Sequence, residues 1–237
     1  MINLSPKRIF KLLALLVLGL VLASVVGQYI KYHLGYENFF GFVPRFDVNE
    51  EVSVPTWYSS VALLFCSMLL GIIAVHKRQE SDRYAGHWTG LSVIFLYLSV
   101  DEASMLHELI GVNVGTRVAD SQPLHYYAWI IPAVIIVIIL GILYLKFLAH
   151  LPQKTRRYFI VAAALFIGGA IFTEILTGLY WQFLGSNDDF THSILTAVEE
   201  CFEMMGVVVF IYALMSYMKS HIKEIKISLK EPENLLK

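Results

Sequence analysis

Charged residues are scarce in this chain: they make up 16% of its 237 residues, against about a quarter in soluble globular domains. Cysteines are scarce as well, and both of them, Cys66 and Cys201, fall inside predicted membrane spans. Two separated cysteines argue against a disulfide framework and against a four-cysteine zinc site. The net charge of −1 says nothing about nucleic acid, because the charges are sorted by loop; no nucleic-acid partner is expected.

Apolar residues take the place of the missing charges. They account for 57% of the chain, and the mean hydropathy is +0.63. Six apolar windows contain the roughly 20 helical residues that are needed to cross a hydrocarbon core of about 30 Å. These windows lie at 9–30, 56–76, 88–111, 126–148, 157–183 and 191–218. The sequence therefore predicts an all-α, polytopic membrane bundle of six helices in a single domain over residues 1–218, followed by a basic tail at 219–237.

Basic residues alternate from one predicted loop to the next. They precede the first window, separate the second from the third and the fourth from the fifth, and follow the sixth: Lys7, Arg8, Lys11, Lys77, Arg78, Arg83, Lys154, Arg156, Arg157, Lys219, Lys223, Lys226 and Lys230. Under the positive-inside rule, this alternation predicts that both termini are cytoplasmic, in a bacterial inner membrane. A cleaved signal peptide is the alternative for the first window, although no small-x-small cleavage site follows Leu12–Val26.

Ionisable residues occur in the third, fifth and sixth windows and are missing from the centres of the other three. They are Asp101, Glu102, His107, Glu108, Glu174, His192, Glu199, Glu200 and Glu203. A charged side chain in mid-membrane is costly, so such residues usually face the bundle interior and have a function. These windows contain no central Lys or Arg that would balance the acids.

Helical geometry predicts that these acids converge. At 3.6 residues per turn, Asp101 and Glu108 share one face of the third span, while Glu199 and Glu203 share one face of the sixth. Measured along each predicted helix, Asp101, Glu174 and Glu199 all lie about 12–15 Å below the outer ends. The pattern predicts one shared site in the middle to outer half of the bilayer.

Two chemistries accommodate this much negative charge. The first is a divalent metal ion (iron, zinc or manganese), as in carboxylate-bridged helix bundles. Its predicted ligands are Asp101, His107, Glu108, Glu174, His192, Glu199 and Glu203, with Glu102 and Glu200 as catalytic residues. The second is protonation of several acids along a proton or cation pathway.

The leading functional hypothesis is a metal-dependent membrane enzyme that takes an apolar or lipid-like substrate from the bilayer. The alternatives are a small transporter coupled to protons or cations through the same acids, and a non-catalytic membrane subunit or scaffold. The bilayer itself is the expected partner, and the sequence does not predict an oligomeric state.

Short strings in the third and sixth spans carry a resemblance. Leu98–Ala103 with His107-Glu108, and Glu199–Gly206, resemble segments of uncharacterised bacterial multi-pass membrane proteins that have no established activity. The paired glutamates also resemble those of CAAX-processing intramembrane proteases. In that motif an arginine stands where this chain has Met204, and histidine motifs follow that are absent here. The strings Val100-Asp101-Glu102 and Val198-Glu199-Glu200 also resemble each other, as in an inverted repeat.

Overall fold

The computed structural model describes residues 5–106, 130–173, 176, 180 and 189–222. These residues form an all-helical structure without strands, as predicted. The helices are α1 (Pro6–Leu34), α2 (Phe42–Phe46), α3 (Val54–Gln79), α4 (Ala85–Ser104), α5 (Ile130–His150), α6 (Gln153–Gly168) and α7 (Phe190–His221). A 3₁₀ turn at Phe39–Gly41 precedes α2, and a π-helical turn at Gly169–Thr173 follows α6.

Local sequence signals explain where the long helices begin and end. The backbone N–H of Thr56 donates to the Ser53 hydroxyl at the start of α3, and that of His192 donates to Asp189 at the start of α7. Gly35 ends α1 in the left-handed conformation, with φ of 75°, which glycine adopts without strain. The side-chain caps satisfy N–H groups that a helix leaves unpaired at its start.

Among the described residues, three helices are long and apolar enough to cross a membrane: α1, α3 and residues Pro132–His150 of α5. Two of them are only slightly buried by the rest of the chain, and they turn large apolar side chains outward. Leu15 of α1 is 70% exposed and Leu143 of α5 is 61% exposed. Such surfaces suit a lipid environment. The full set of six spans remains a prediction.

Helix α7 is the centre of the bundle, because it packs against α1, α3 and α6. Helices α3 and α4 form an antiparallel hairpin with the most extensive contact in the structure. The main core lies where this hairpin meets α7, and Leu70, Ile73, Trp88 and Leu214 are almost completely buried there.

Paired serines join α3 to α4. The Ser67 hydroxyl donates to the Ser92 carbonyl at 2.7 Å, and the Ser92 hydroxyl donates back to the Ser67 carbonyl at 2.8 Å. Ser60 and Ser99 repeat this arrangement seven residues along each helix. Small polar residues allow two apolar helices to approach closely and bond to each other.

The bundle has two distinct ends. At one end, which we call the basic end because Lys7, Lys77 and Lys154 lie there, α1, α4 and α6 begin while α3, α5 and α7 end. Ring contacts connect these helices there: Phe10 with Tyr212 at 5.6 Å between centroids, and Trp88 with Tyr217 at 5.0 Å. At the opposite end, which we call the cavity end, a connection over residues 35–53 links α1 to α3.

Helix α4 ends earlier than the sequence predicted. Met105 adopts a left-handed conformation, with φ of 54° and ψ of 38°, and its N–H bonds to the Asp101 carbonyl. A continuous span over 88–111 is therefore wrong, and the face predicted to join Asp101 to Glu108 is interrupted. Asp101 lies within one turn of the helix end, about 5 Å along the axis and not 12–15 Å. Glu108 lies outside the described residues.

Candidate functional site

Three glutamates from two helices line one small cavity. Glu102 comes from the last turn of α4, and Glu200 and Glu203 come from α7. The space between them is about 10 Å³, roughly the room that a single water molecule needs. Apart from the three acids, the lining consists of Tyr58, Ser59, Ala62, Leu63, Phe166, Met204 and Val207. The two residues predicted to be catalytic, Glu102 and Glu200, therefore lie at one site.

The helix hairpin positions the α3 and α4 side of the cavity. The Ser60 and Ser99 hydroxyls each donate to the other residue's carbonyl at 2.8 Å. Tyr58 and Ser59 directly precede Ser60, and Glu102 follows Ser99 by three residues. The serine pair thus holds Tyr58 and Glu102 at a fixed register on facing helices.

The π-helical turn after α6 packs against the α7 side of the cavity. A Cβ atom at Gly169 would lie 2.9 Å from Phe202 Cβ and 3.4 Å from Glu203 Cγ, so only glycine fits without displacing α7. Within the turn, the Thr173 hydroxyl bonds to the Gly169 carbonyl. Single π turns inside α helices occur often at functional sites.

The lining residue Tyr58 carries an unusual polar atom. Its side chain is partly buried, but its hydroxyl oxygen is buried and makes no hydrogen bond within the part of the chain that the structure describes. Buried polar atoms in folded proteins are nearly always paired, so an unpaired one calls for a physical explanation such as a bound water or ion.

The charged side chains in the described lining of the cavity are all acidic. Besides Glu102, the carboxylates of Glu199 and Glu51 act on Glu200. No described Lys or Arg is part of the lining. Carboxylates that share a site of low dielectric repel one another.

The connection between α2 and α3 reaches over this end of the bundle. Val48 is buried in a cluster that includes Leu20, Ala197 and the cavity residue Met204. Its backbone N–H donates to the Ser24 hydroxyl on α1 at 3.2 Å. The connection is therefore anchored to α1 and α7 near the carboxylates.

The other predicted site residues are placed differently. Asp101 and Glu199 are partly buried and are not part of the cavity lining. His192 is buried in the first turn of α7, about 12 Å along the axis from Glu200. His107, Glu108 and Glu174 lie outside the described residues.

A metal centre finds no support in this part of the chain. Within the described residues, no group of three or more His, Cys, Asp or Glu side chains is arranged to hold a metal ion. The predicted ligand set for iron, zinc or manganese is therefore not assembled among the members that the structure describes.

A second, apolar groove lies on another face of α7, where α1 and α6 approach it. Its volume is about 370 Å³, and it is lined by Val21, Val25, Leu165, Ile194, Ala197, Val198, Cys201, Phe202 and Met205. Among the described lining residues, none is shared with the carboxylate cavity. The two sites are therefore separate.

An apolar stretch separates the cavity from the basic end. Residues 59–75 of α3, 88–100 of α4 and 204–218 of α7 contain no Asp, Glu, His, Lys or Arg. On α7, the 14 residues from Glu203 to Tyr217 correspond to about 21 Å. These stretches of α3, α4 and α7 therefore place no ionisable Asp, Glu, His, Lys or Arg side chain in the core between the two ends.

Sequence reasoning missed Tyr58, Ser59 and the serine pairs. The run Tyr58-Ser59-Ser60 at the start of α3 was a visible polar signal. Its significance depends on Ser99 and Glu102 of the facing helix, which the periodicity of α3 alone does not show.

The chain was compared with known proteins. Residues 10–218 match the family model described as a domain of unknown function, DUF8692, which takes in nearly all of the described helices. No curated protein matches the chain, and no solved structure matches it either. The chain belongs to the DUF8692 family of domains of unknown function.

Proposed function

We propose that the protein is a small proton- or cation-coupled carrier in the bacterial inner membrane, which works through the cavity lined by Glu102, Glu200 and Glu203. In this proposal six helices span the bilayer, with both termini in the cytoplasm. The outward apolar faces of α1 and α5 support the membrane setting. The sorting of basic residues to one end supports the orientation.

The size and lining of the cavity carry the proposal. Glu102, Glu200 and Glu203 line a space of about 10 Å³ together with Tyr58 and mainly apolar residues. That space is sufficient for one water-sized species and far below the roughly 300–1,000 Å³ of organic ligand sites. Acidic residues around so small a space favour a proton or a small cation as its occupant.

The position of the cavity favours a carrier over an open pore. The cavity lies at one end of the bundle, and the apolar core closes the way to the basic end. A bound ion therefore reaches the other side only through a change in how the helices pack, which is the defining step of alternating access.

The metal-dependent enzyme was the leading hypothesis from the sequence, and it stays a prediction. An enzyme that uses these acids needs its substrate beside them. The groove large enough for an apolar molecule is lined by other residues of α7, such as Cys201 and Met205. The geometry thus favours the carrier.

The test uses the full chain reconstituted in liposomes. Imposed pH and Na⁺ gradients should drive cation or proton flux, measured with entrapped indicator dyes, and Glu200→Gln should abolish it. Glu37→Gln, an exposed glutamate in the connection after α1, is the matched control and should retain full flux.

Absence of any protein-dependent flux in the wild type would contradict the carrier. Stoichiometric iron, zinc or manganese in the purified protein, lost in Glu200→Gln, would instead support the enzyme. Metal analysis on the same preparation therefore decides between the two hypotheses.

A further inference from the structure

We propose that the face of the bundle formed by α1, α6 and α7 binds one anionic phospholipid of the cytoplasmic leaflet. Its headgroup lies on Lys7, Lys154 and Lys219, and its chain ends lie in the apolar groove. The described lining of this groove is separate from that of the carboxylate cavity. The proposal therefore goes beyond ion transport, and it uses only the membrane setting of the proposed function.

Three aromatic rings fix how α1, α6 and α7 lie against one another near the basic end. The Tyr212 ring of α7 contacts Phe10 of α1 at 5.6 Å between centroids and Tyr158 of α6 at 5.0 Å. All three residues are partly buried, and we call them the ring collar. Through these contacts, α1 and α6 flank α7 at the same level.

Each of the three helices carries an exposed lysine between its ring and the basic end. The spacing from ring to lysine is three residues on α1, four on α6 and seven on α7, and such spacings return to the same side of an α helix. At about 1.5 Å per residue, the lysines lie roughly 5–10 Å beyond the rings. The lysines are Lys7, Lys154 and Lys219.

The acids at the basic end do not neutralise these lysines. Among the described residues, Glu80 and Asp82 lie there, and their carboxylates pair with the Lys77 Nζ at 2.8 and 3.5 Å. The described helices α1 and α6 contain no Asp or Glu, and neither do residues 204–222 of α7. The surface beside the ring collar is thus positive, and it complements an anionic headgroup.

Two of the lysines stand at places that are unfavourable for the helices themselves. Lys7 and Lys154 lie in the first turns of α1 and α6, which contain no acidic residue. A cation in a first turn opposes the helix dipole, whereas an anion is stabilised there. A bound phosphate therefore offsets an interaction that costs stability in the free protein.

On the other side of the ring collar, the same face continues into the apolar groove. Leu165 and Met205 line the groove, and each lies seven residues from the ring of its own helix. Val21 of α1 lies eleven residues from Phe10, and both spacings are close to whole turns. Within the described residues, α1 and α6 pack closely on α7 but hardly on each other. A space of about 370 Å³ lies between them.

The length of this face matches one lipid. The 14 residues from Lys219 back to Met205 correspond to about 21 Å. A bilayer with its headgroups is about 40–45 Å thick, so one leaflet measures about 20–22 Å. A lipid whose phosphate lies among the lysines thus reaches the groove with its chain ends. A soluble anion would use the charged part alone.

The first experiment uses native mass spectrometry of the purified full chain in neutral detergent. An anionic and a zwitterionic phospholipid with identical chains are titrated separately, and the anionic lipid should bind saturably, more tightly and at one per protein. Lys7→Gln/Lys154→Gln should weaken its binding by about 30-fold, the effect of two lysines near an anionic headgroup. Loss of these lysines relieves the helix dipoles, so the variant should fold, which circular dichroism checks.

Arg78→Gln/Lys146→Gln is the matched control. It removes two exposed cations from the same end of the bundle, on α3 and α5, which do not contribute to the ring collar. Both double variants reduce the general attraction to anionic lipid alike. The control should therefore bind the anionic lipid nearly as tightly as the wild type.

The second experiment follows the lipid chains and needs no variant. Anionic lipid with a photoreactive group at one chain end is added to nanodiscs of zwitterionic lipid, and cross-linked peptides are identified by mass spectrometry. Labelling of Leu165 and Met205 should saturate at a low fraction of labelled lipid, because they line one site. Labelling of the outward-facing Leu143 of α5 should rise in proportion to that fraction. Inorganic phosphate should not displace the lipid, since it has no chains.

Several results would overturn the proposal. Absence of saturable binding, equal binding of the two lipids, or an equal loss in the two double variants would refute the headgroup site. Lipid binding without labels in the groove would refute the chain position. Displacement by inorganic phosphate would identify a site for a soluble anion. The flux assay with Glu200→Gln tests the carrier separately, so either proposal can fail while the other stands.

Discussion

The hydroxyls of Ser60 and Ser99 each donate a hydrogen bond to the other residue's carbonyl, both at 2.8 Å. Ser67 and Ser92 form the same pair of bonds one heptad away. Because all four bonds require the same alignment, α3 cannot slide along α4 by one turn without breaking every one of them. A conformational change that serves the cavity must therefore move the hairpin as a unit against α7.

Replacing the pair nearest the cavity should weaken the hairpin. The double variant Ser60→Ala/Ser99→Ala should lower the free energy of unfolding by about 1 kcal/mol, since hydrogen bonds between membrane helices contribute roughly 0.6 kcal/mol each. Steric trapping in bicelles measures that free energy. Ser220→Ala is the control, because the exposed Ser220 hydroxyl bonds only to Ser216 of its own helix. Equal stability of the double variant and the control would contradict the role of the pair.

The crossing of α6 and α7 should be intolerant of any added side chain at Gly206. A Cβ atom there would lie 2.8 Å from the Phe166 backbone nitrogen and 3.0 Å from the Ala162 carbonyl oxygen. Backbone atoms have little freedom to move, so Gly206→Ala should cost about 1–3 kcal/mol of stability. In Gly168→Ala the new methyl group meets nothing within 4 Å, and the gain in helix propensity should be up to about 1 kcal/mol. The same unfolding measurement should show a loss of stability for Gly206→Ala and a gain for Gly168→Ala.

Neighbouring acids on α4 should differ in their effect on ion binding. Glu102 lines the cavity, whereas Asp101 does not. Glu102→Gln should therefore lower cation or proton flux in the liposome assay by at least tenfold, and Asp101→Asn should change the flux little. Both variants remove one carboxylate from the same turn, so a general change in surface charge affects them alike. A larger loss in Asp101→Asn would show that the cavity is misassigned.

The start of α7 should lose stability in acid. Hydrogen bonds from the Tyr180 hydroxyl at 2.6 Å and from the His192 backbone N–H hold the pKa of Asp189 below its ordinary value. A lowered folded-state pKa means that the stabilisation is present above the unfolded-state pKa and is lost as the pH falls through the folded-state pKa. Amide hydrogen exchange over residues 190–193 should therefore open more readily below about pH 4, near the ordinary Asp value.

Asp189→Ala should show this opening at neutral pH and should have no further acid step, once the intrinsic exchange rate is corrected for pH. Asp189→Asn keeps an oxygen acceptor for the His192 N–H, and it should remain protected at all pH values tested. A different result would contradict the role of the charge: amide protection in the wild type that does not change with pH, together with loss of protection in Asp189→Ala. In that case the hydrogen bond from the cap would stabilise the helix start, but the charge of Asp189 would not.

Lipid contact should follow the exposed faces of α1 and α5. An apolar photoreactive probe dissolved in the bilayer should label Leu15 and Leu143, which face outward, and should leave Val17 and Phe147 unlabelled. Mass spectrometry of peptides from the reconstituted protein provides the comparison within the same two helices. Equal labelling of the exposed and the buried residues would contradict the membrane arrangement.

Helix type and the principal acids could be predicted from the sequence because their signals are local. Hydropathy identified α1 and α3, and residues such as Gly35 and Ser53 mark helix ends by their own chemistry. Glu102 and Glu200 occupy equivalent positions in the two similar strings, and both line the cavity.

The remaining features depend on contacts between helices. Met105 ends α4 without a glycine or proline to signal it. Tyr58 lines the same cavity as glutamates that are distant from it in the sequence. The sequence shows how many acids there are, but not how much space lies between them. The size of that space is what distinguishes a site for a small cation from a site for an enzyme substrate.

The apolar core between the cavity and the basic end also determines where a membrane voltage acts. An electric field falls mainly across material of low dielectric constant, and here that material lies on one side of the carboxylates. Binding at the cavity end should therefore depend little on voltage. Transfer of one charge through the core should carry most of the electrical work, about 2.3 kcal/mol per 100 mV. Voltage would thus change the rate of turnover and leave the apparent affinity almost constant.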